Sequence, residues 1–315
     1  MNEARVRPFR FGVNALAAGS AAEWIALARR LEELGYSTLC LPDHLTDRLA
    51  PLPALASAAA VTSRLRVGTM VLNNDFRHPV VLAREAATVD MLSDGRLELG
   101  LGAGYMRSEY EQAGLRFDRG GVRVERLGEA VTITKRLFQG EPVIFSGRHY
   151  QVADHTIHPR PAQRPRPPIL IGGNGPRLLT LAATEADIVA LSGITFGGGG
   201  VERDMAGFRA AGVDERVRLV REAAGARLGQ LELSALVQRV IVTEDRRGAA
   251  EELAQRWAGL TAEEILETPF VLLGSVDEIV AQLVARRARW GISYYVVFRP
   301  AVDVFAPIVD RLSGV

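Results

Sequence analysis

Three segments decide the fold: TLCLPDH (38–44), LRVGTMVLN (65–73) and LELGLGAGY (97–105). Each begins with an apolar run that predicts a buried strand and ends in polar residues or glycines that a buried strand does not favour. In a parallel α/β architecture the loops leaving the strands meet at their carboxyl ends, which is the face that binds ligands. The sequence therefore predicts a ligand site at that face.

The alternation of strand and helix extends over most of the 315 residues. Further strands are predicted at 9–16, 168–173, 187–191, 231–243 and 294–298. Eight strands alternating with helices favour an α/β fold of the closed (β/α)8 TIM-barrel type over an open doubly wound sheet. A predicted hairpin (143–145 with 150–152) and a proline-rich stretch make 141–167 an insertion after the fourth unit. We expect 1–315 to be one domain.

Composition limits the classes of function. The formal net charge is +1, so no overall field favours nucleic acid or a membrane surface. No apolar run approaches the roughly 18 residues of a membrane span, and the first residues show no export signal. We expect a cytoplasmic protein without nucleic-acid or membrane partners. The single cysteine, Cys40, lies in a predicted strand and is interpreted as a small buried apolar residue.

Asp43 and His44 follow the second strand and are the best acid/base candidates. Histidine titrates near neutrality, and a neighbouring carboxylate can orient its ring or hold its charge. The alternative is a histidine in a polar loop, with Asp43 capping the following turn. His155 and His158 have no third ligand nearby, so no metal site is predicted.

The segment Gly172-Gly173-Asn174-Gly175 precedes a helix that begins at Pro176. Bare backbone N–H groups at the positive end of a helix dipole predict a phosphate site. The alternative is a tight turn in which Asn174 caps the helix. Arg177 lies beside this loop and, with Arg160, Arg164 and Arg166, forms either a patch for an anionic ligand or a solvated loop.

Three further features bear on a ligand. The glycines 100, 102 and 104 lack the helix and acidic residue of a dinucleotide fingerprint, but they allow a planar ring to approach. The loop 195–200 is interpreted as a lid. Four aromatic residues either line an apolar pocket or pack in the core: Phe76, Tyr105, Phe196 and Phe208.

These motifs together resemble the bacterial luciferase-like superfamily of flavin and deazaflavin enzymes. The resemblance covers about residues 9–195 and, more loosely, the last strand and helix. The residues that carry it are Gly35-Tyr36, Pro42-Asp43-His44, 65–71, His78-Pro79, 92–104, Glu109-Tyr110, Gly114, Arg123 with Glu129, and 169–173.

The resemblance implies a (β/α)8 barrel, commonly a homodimer through the second and third helices, with coenzyme F420 or FMN at the barrel mouth. In such proteins the third strand has a bulge, often with a non-prolyl cis peptide, which maps to 68–71 and backs the ring. The phosphate maps to the Gly172-Gly173 loop. The expected cofactor-binding residues are Gly68, Thr69, Met70, Val71, Asn73, Gly102, Ala103, Gly104, Tyr105, Gly172, Gly173, Asn174, Gly175 and Arg177.

Departures from the family pattern favour the deazaflavin. Flavin monooxygenases of this group often carry Gly-Trp-Asn and Arg-Tyr where this chain has 104–106 and Arg123-Val124. The leading hypothesis is an F420-dependent oxidoreductase that exchanges a hydride with a small organic substrate, with His44 as proton donor or acceptor and Asp43 orienting it. The alternatives are an FMN-dependent monooxygenase and a non-catalytic flavin-binding relative. Related sugar-phosphate dehydrogenases have a glutamate at the position of Tyr105, which argues against glucose 6-phosphate.

Overall fold

The structure is a computed structural model that describes residues 7–197, 199–200, 202–257 and 259–315. Its strands are β1 Arg10–Asn14, β2 Thr38–Leu41, β3 Arg66–Thr69, β4 Leu72–Asn73, β5 Leu97–Gly102, β6 Val143–Ser146, β7 Gln151–His155, β8 Ile169–Gly172, β9 Ile188–Leu191, β10 Thr195–Gly197, β11 Glu202–Asp204, β12 Glu232–Leu236, β13 Arg239–Val242, β14 Val271–Gly274 and β15 Ile292–Phe298.

The α-helices alternate with these strands and cover the outside of the sheet. They are α1 Ala21–Glu33, α2 Pro51–Ala59, α3 Pro79–Leu92, α4 Arg107–Gln112, α5 Gly120–Gln139, α6 Pro176–Glu185, α7 Ala210–Ala224, α8 Arg246–Arg256, α9 Ala262–Glu267, α10 Val276–Trp290 and α11 Val302–Leu312. Short 3₁₀ turns lie at Asn74–Phe76, Ala206–Phe208, Gly225–Gln230 and Arg299–Ala301.

The main sheet closes into a parallel barrel. Neighbouring strands follow the order β3-β2-β1-β15-β12-β9-β8-β5, and β3 pairs with β5 to complete the ring. The third barrel position is split, because β4 continues β3 after a short break and also pairs with β5. The fold predicted from the sequence, a (β/α)8 TIM barrel, is therefore confirmed.

The seventh barrel strand is shorter than predicted. The sequence predicts one strand over 231–243, but only β12 joins the barrel, and β13 pairs in parallel with β14, which the sequence analysis does not identify. The chain leaves the barrel where Val237 N donates to Val296 O and Gln238 N donates to Phe270 O. No glycine or proline marks this exit. The apolar pattern therefore continues across it and predicts a single longer strand.

The predicted hairpin between the fourth and fifth barrel units is confirmed. β6 and β7 pair antiparallel between α5 and β8. Glu129 of α5 holds the turn by accepting hydrogen bonds from the backbone N–H groups of Arg148 (2.7 Å), His149 (3.0 Å) and Tyr150 (3.0 Å). Whether 1–315 forms a single domain stays a prediction.

Four charged residues fill the amino end of the barrel, and we call them the basal ion cluster: Arg10, Arg66, Glu98 and Glu232. Glu98 Oε1 accepts from Arg10 Nη1 at 2.6 Å and from Arg66 Nε at 2.7 Å. Arg10 Nη2 also donates to Glu232 Oε2 at 2.7 Å. Burial opposes ionisation of Glu98, but the two guanidinium groups outweigh it and hold the pKa of this carboxyl below its ordinary value.

An apolar layer lies above the basal ion cluster. It includes Cys40, Met70, Leu170, Val296 and Tyr294, whose ring stacks on the Arg10 guanidinium at 3.6 Å. The predicted burial of Cys40 is confirmed. Burial raises the pKa of its thiol to about 12, so it stays protonated at neutral pH.

The outer face of α3 carries exposed apolar side chains, namely Val81, Met91 and Leu92. This helix is one of the two through which the family resemblance implies a homodimer, and the pairing of two copies stays a prediction. Among the described residues, no helix is both long and apolar enough to cross a membrane.

Replacing Glu98 by glutamine should lower the free energy of unfolding by about 3 kcal/mol, because two half-buried guanidinium groups lose the buried carboxylate that they share. Since folding lowers the pKa of Glu98, the difference from wild type should be full above its ordinary pKa of 4.5 and shrink as pH falls below it. Urea unfolding between pH 3 and pH 7 measures both effects.

The matched control is Glu33→Gln, which removes a carboxylate that is 68% exposed and 4.0 Å from its partner Arg30. Its effect should stay below about 0.5 kcal/mol. Equal stability of Glu98→Gln and wild type at pH 7 would contradict a stabilising role for the basal ion cluster.

Candidate functional site

A cavity of about 860 Å³ opens at the carboxyl ends of the barrel strands. The ends of all eight barrel positions contribute to its wall, from Asn14 at the end of β1 to Phe298 at the end of β15. We call it the mouth cavity. The predicted site residues that line it are Asp43, His44, Met70, Val71, Asn73, Gly102, Ala103, Gly104, Tyr105, Gly172, Gly173, Asn174, Gly175 and Arg177.

Gly68 and Thr69 do not line the mouth cavity, which corrects their assignment as cofactor contacts. Thr69 Oγ1 donates to Gly100 O and accepts from Gly100 N, both at 2.8 Å. A Cβ atom on Gly100 would lie 1.9 Å from Thr69 O, so only glycine allows this approach. Gly68 packs inside the barrel against Thr38 and Cys40. Both residues shape the third strand rather than the ligand surface.

The chain between β3 and β4 forms the bulge that the family resemblance implies. The Met70–Val71 peptide is cis and non-prolyl, as expected. Both side chains line the mouth cavity. β4 follows and ends at Asn73, whose backbone N–H donates to Asp43 Oδ2 at 3.1 Å and whose side chain accepts from Tyr110 Oη at 3.0 Å.

His44 is oriented by Glu109 and not by Asp43. His44 Nδ1 lies 2.9 Å from Glu109 Oε1, and Leu45 N donates to the same oxygen at 3.0 Å. Glu109 lies in α4 and is 3% exposed. A carboxylate only accepts, so Nδ1 carries the proton that bridges the pair, and Nε2 of the neutral ring is left as a base. The predicted Asp43–His44 relationship is therefore wrong.

Asp43 has a different partner. Its carboxylate accepts from Arg77 at 2.5 Å and 3.2 Å, in addition to the Asn73 backbone. Asp43 is 5% exposed, and this bidentate pair turns its oxygens toward the end of the third strand. Asp43 therefore fixes the wall of the mouth cavity. Glu109 belongs to the residues that carry the family resemblance, but no role is predicted for it, because its partner His44 is 65 residues away.

The loop 172–175 presents an open helix end to the mouth cavity. The predicted alternative, in which Asn174 caps α6, is wrong: Gly175 is the N-cap residue and no side chain caps the helix. Asn174 Nδ2 instead donates to Ser192 Oγ at 2.9 Å and to Ile194 O at 2.8 Å. The first-turn N–H groups of α6 are thus left for an anion.

Arg216 of α7 supports this loop from behind. Its Nη1 donates to Asn174 Oδ1 at 2.7 Å and to Ser192 O at 2.8 Å. Arg216 is 8% exposed, and burial lowers the pKa of its guanidinium to about 10, which leaves it charged at neutral pH. Sequence reasoning missed it, although an arginine on the apolar stripe of an amphipathic helix was a usable signal.

The predicted patch of four arginines does not form as a unit. Of these four arginines, only Arg177 lines the mouth cavity. Its side chain has no hydrogen bond or ion pair among the described residues. Arg166 pairs with Asp187 at 2.5 Å, while Arg160 and Arg164 donate to backbone carbonyls. A positive charge is therefore available at α6 from one arginine.

The four candidate aromatic residues divide between the two alternatives, pocket lining and core packing. Tyr105 and Phe196 line the cavity and stack with their ring centroids 4.6 Å apart. Phe76 packs against Tyr110, and Phe208 packs against Trp257 and Phe270, so neither lines the mouth cavity.

The predicted lid segment forms part of a hairpin, in which β10 pairs antiparallel with β11. Gly198 lies outside the described residues, and movement of this segment stays a prediction. In the described ranges, no cluster of three or more His, Cys, Asp or Glu side chains is arranged to hold a metal.

Comparisons with known proteins identify the family. The family model for luciferase-like monooxygenases matches residues 4–294. An F420-dependent glucose-6-phosphate dehydrogenase from Microbacterium testaceum is 38% identical over 189 residues, covering 57% of this chain and 55% of that relative. The chain thus spans about half the length of that relative. A protein of the same name from Kineococcus radiotolerans is 31% identical over 300 residues, covering 91% of this chain and 84% of the relative.

A solved structure gives the same fold. The F420-dependent tetrahydromethanopterin reductase of Methanopyrus kandleri superposes with a TM-score of 0.77 and covers 97% of this chain and 100% of its own. At 19% identity this likeness concerns the fold alone. Because the family model spans most of the sequence and the barrel carries the expected bulge, the chain belongs to the luciferase-like monooxygenase family.

Proposed function

We propose that this protein is an F420-dependent oxidoreductase that moves a hydride between the deazaflavin and an organic substrate. The observation that carries the proposal is the presence, in one cavity, of an oriented histidine base and an uncapped helix end. His44 is held by Glu109, and α6 opens on the same cavity without a side-chain cap. The names of the relatives, which are F420-dependent dehydrogenases, support the choice of cofactor.

The residues of the mouth cavity fit such a cofactor. A volume of about 860 Å³ lies within the range of cofactor pockets, roughly 300–1,000 Å³. The Met70–Val71 bulge and the strip 102–104 would hold the ring system from two sides. The 172–175 loop, the first turn of α6 and Arg177 would hold the phosphate, since these groups supply N–H donors and one cation. When bound, F420 supplies a ring carbon that accepts or releases a hydride.

His44 would handle the proton that accompanies this hydride. Oxidation of a substrate hydroxyl to a carbonyl releases a hydride from carbon and a proton from oxygen, and Nε2 of His44 accepts the proton. In the reverse direction the same nitrogen donates it. Glu109 fixes the orientation of the His44 ring, so it acts as a positioning residue. Asp43 and Arg77 hold the neighbouring wall.

The first test is equilibrium binding of F420 and of FMN to the purified protein, each in oxidised and reduced form, followed by cofactor fluorescence. We expect F420 to bind more tightly than FMN. The reverse order would favour the FMN-dependent monooxygenase, which oxygen uptake with reduced FMN would then test. Binding of neither cofactor would contradict the site assignment, and binding without turnover on a broad panel would favour a non-catalytic relative.

His44→Ala should lower kcat by about 10²- to 10⁴-fold, the usual contribution of a general acid or base. The dissociation constant for F420 should change little, because His44 is not among the residues assigned to the cofactor. Glu109→Gln should give a smaller loss of kcat, since the His44 ring is kept but loses the carboxylate that holds its orientation. His155→Ala, an exposed histidine of β7, is the control. Unchanged kcat in His44→Ala would remove this residue from catalysis.

Arg216→Met should weaken F420 binding about tenfold, because Asn174 loses a charged donor and the loop loses a nearby cation. Binding of the phosphate-free deazaflavin riboside should be nearly unchanged. Arg218→Met, an exposed arginine on the same helix, is the matched control. An equal loss for both cofactor forms would mean that Arg216 acts on the whole fold and not on the phosphate site.

A further inference from the structure

A second cavity, which we call the side chamber, adjoins the mouth cavity. Its volume is about 840 Å³. The two share five wall residues, namely Asn14, Leu16, Ile194, Gln238 and Phe298. The side chamber lies over the ends of β1, β12 and β15, whereas the residues proposed for the cofactor follow β3, β5 and β8. A molecule bound in the side chamber can therefore reach the part of the mouth cavity proposed for the cofactor without displacing the cofactor.

Asn14 stands at the junction and has an unused carboxamide. It lines both cavities and is 3% exposed. Its Oδ1 is buried without a hydrogen-bond partner, and its side chain makes no hydrogen bond to the described residues. Burying such a group costs free energy unless a ligand or water completes it. A carboxamide has one donating and one accepting side, so it suits both the alcohol and the carbonyl form of a substrate.

The rest of the side chamber is apolar with a cationic edge. Met205, Trp257 and Pro300 join the shared apolar residues. The charged residues of the described wall are all arginines, namely Arg239, Arg256 and Arg299. Arg299 is engaged by Ala17 O and Glu23. Among the described residues, the Arg256 side chain has only an exposed pair with Glu252 at 3.5 Å, and the Arg239 side chain has no ion pair or hydrogen bond.

We propose that the side chamber binds the substrate, and that this substrate is an organic anion with an aromatic or alkyl body. The inference rests on the proposed function. The reacting hydroxyl or carbonyl lies at Asn14, the apolar body packs on Trp257 and Phe298, and the carboxylate or phosphate meets Arg239 and Arg256. A sugar phosphate fits less well, because its hydroxyls need several partners. Among the described wall residues, the neutral polar side chains are Asn14 and Gln238.

The test uses 4-oxo-4-phenylbutanoate as the anionic probe and its methyl ester as the neutral one. Binding is followed by tryptophan fluorescence in the free and the F420-loaded protein, because Trp257 lines the chamber while Trp24 and Trp290 are 4% and 2% exposed. If the fluorescence change is lost in the Trp257→Phe variant, the change is assigned to Trp257. We expect the acid to bind at least fivefold more tightly than the ester, the scale of one or two exposed ion pairs.

Variants test separately the arginines proposed to bind the anion and the Asn14 carboxamide proposed to bind the reacting group. Arg239→Gln with Arg256→Gln should abolish the preference for the acid, while Arg247→Gln, an exposed arginine of α8 outside the chamber wall, should keep it. Asn14→Ala should weaken acid and ester alike by about tenfold, and Asn14→Ser tests the same point with a smaller change in volume and polarity.

Three results would overturn the inference: equal binding of acid and ester, a preference that survives the double arginine variant, or tighter binding of glucose 6-phosphate than of the aryl acid. The dissociation constant of F420 is measured in the same preparations. Failure of F420 to bind while the acid preference holds would contradict the proposed function alone. Normal F420 binding without the acid preference would contradict the side-chamber assignment alone.

Discussion

The site depends on how the third barrel strand is tied to the fourth position. Thr69 Oγ1 exchanges two hydrogen bonds of 2.8 Å with the backbone of Gly100. A side-chain hydroxyl thus replaces the regular ladder at this point, and the strand resumes only at β4. The break allows Met70 and Val71 to form a wall of the mouth cavity. An uninterrupted third strand would leave that wall flat, so this local exchange of bonds shapes the ligand surface.

The barrel interior is ordered by charge along its axis. The basal ion cluster lies at the amino end, the apolar layer around Cys40 follows, and the polar side chains of the mouth come last. Burying Glu98 is tolerated because two arginines share it. The apolar layer separates this charge from the mouth cavity, where the proposed acid/base pair and the helix end lie. Stability and ligand binding are therefore assigned to opposite ends, as is usual for this architecture.

Most of the fold follows from local patterns in the sequence. The helix α6 begins at Pro176 as predicted, because the glycine loop and the first-turn proline are contained in the segment itself. The point between β12 and β13 where the chain leaves the barrel was not predicted, because it depends on a hydrogen bond to Phe270 O, which is remote in sequence. The site divides in the same way. The loop 172–175 is visible as a motif, whereas the pairing of His44 with Glu109 and of Asn174 with Arg216 arises only when the chain folds.

The mouth cavity and the side chamber differ in the groups that form their walls, and this difference bears on substrate specificity. The half proposed for the cofactor presents glycines, the Met70–Val71 bulge and a helix end, so its shape is set by the barrel itself. The side chamber is built from side chains such as Met205, Trp257 and Arg256, which lie outside the strands and can change without altering them. A cofactor site can then persist while the substrate changes. Asn14 lines both cavities, so its carboxamide is the point at which the proposed hydride chemistry would meet a variable substrate.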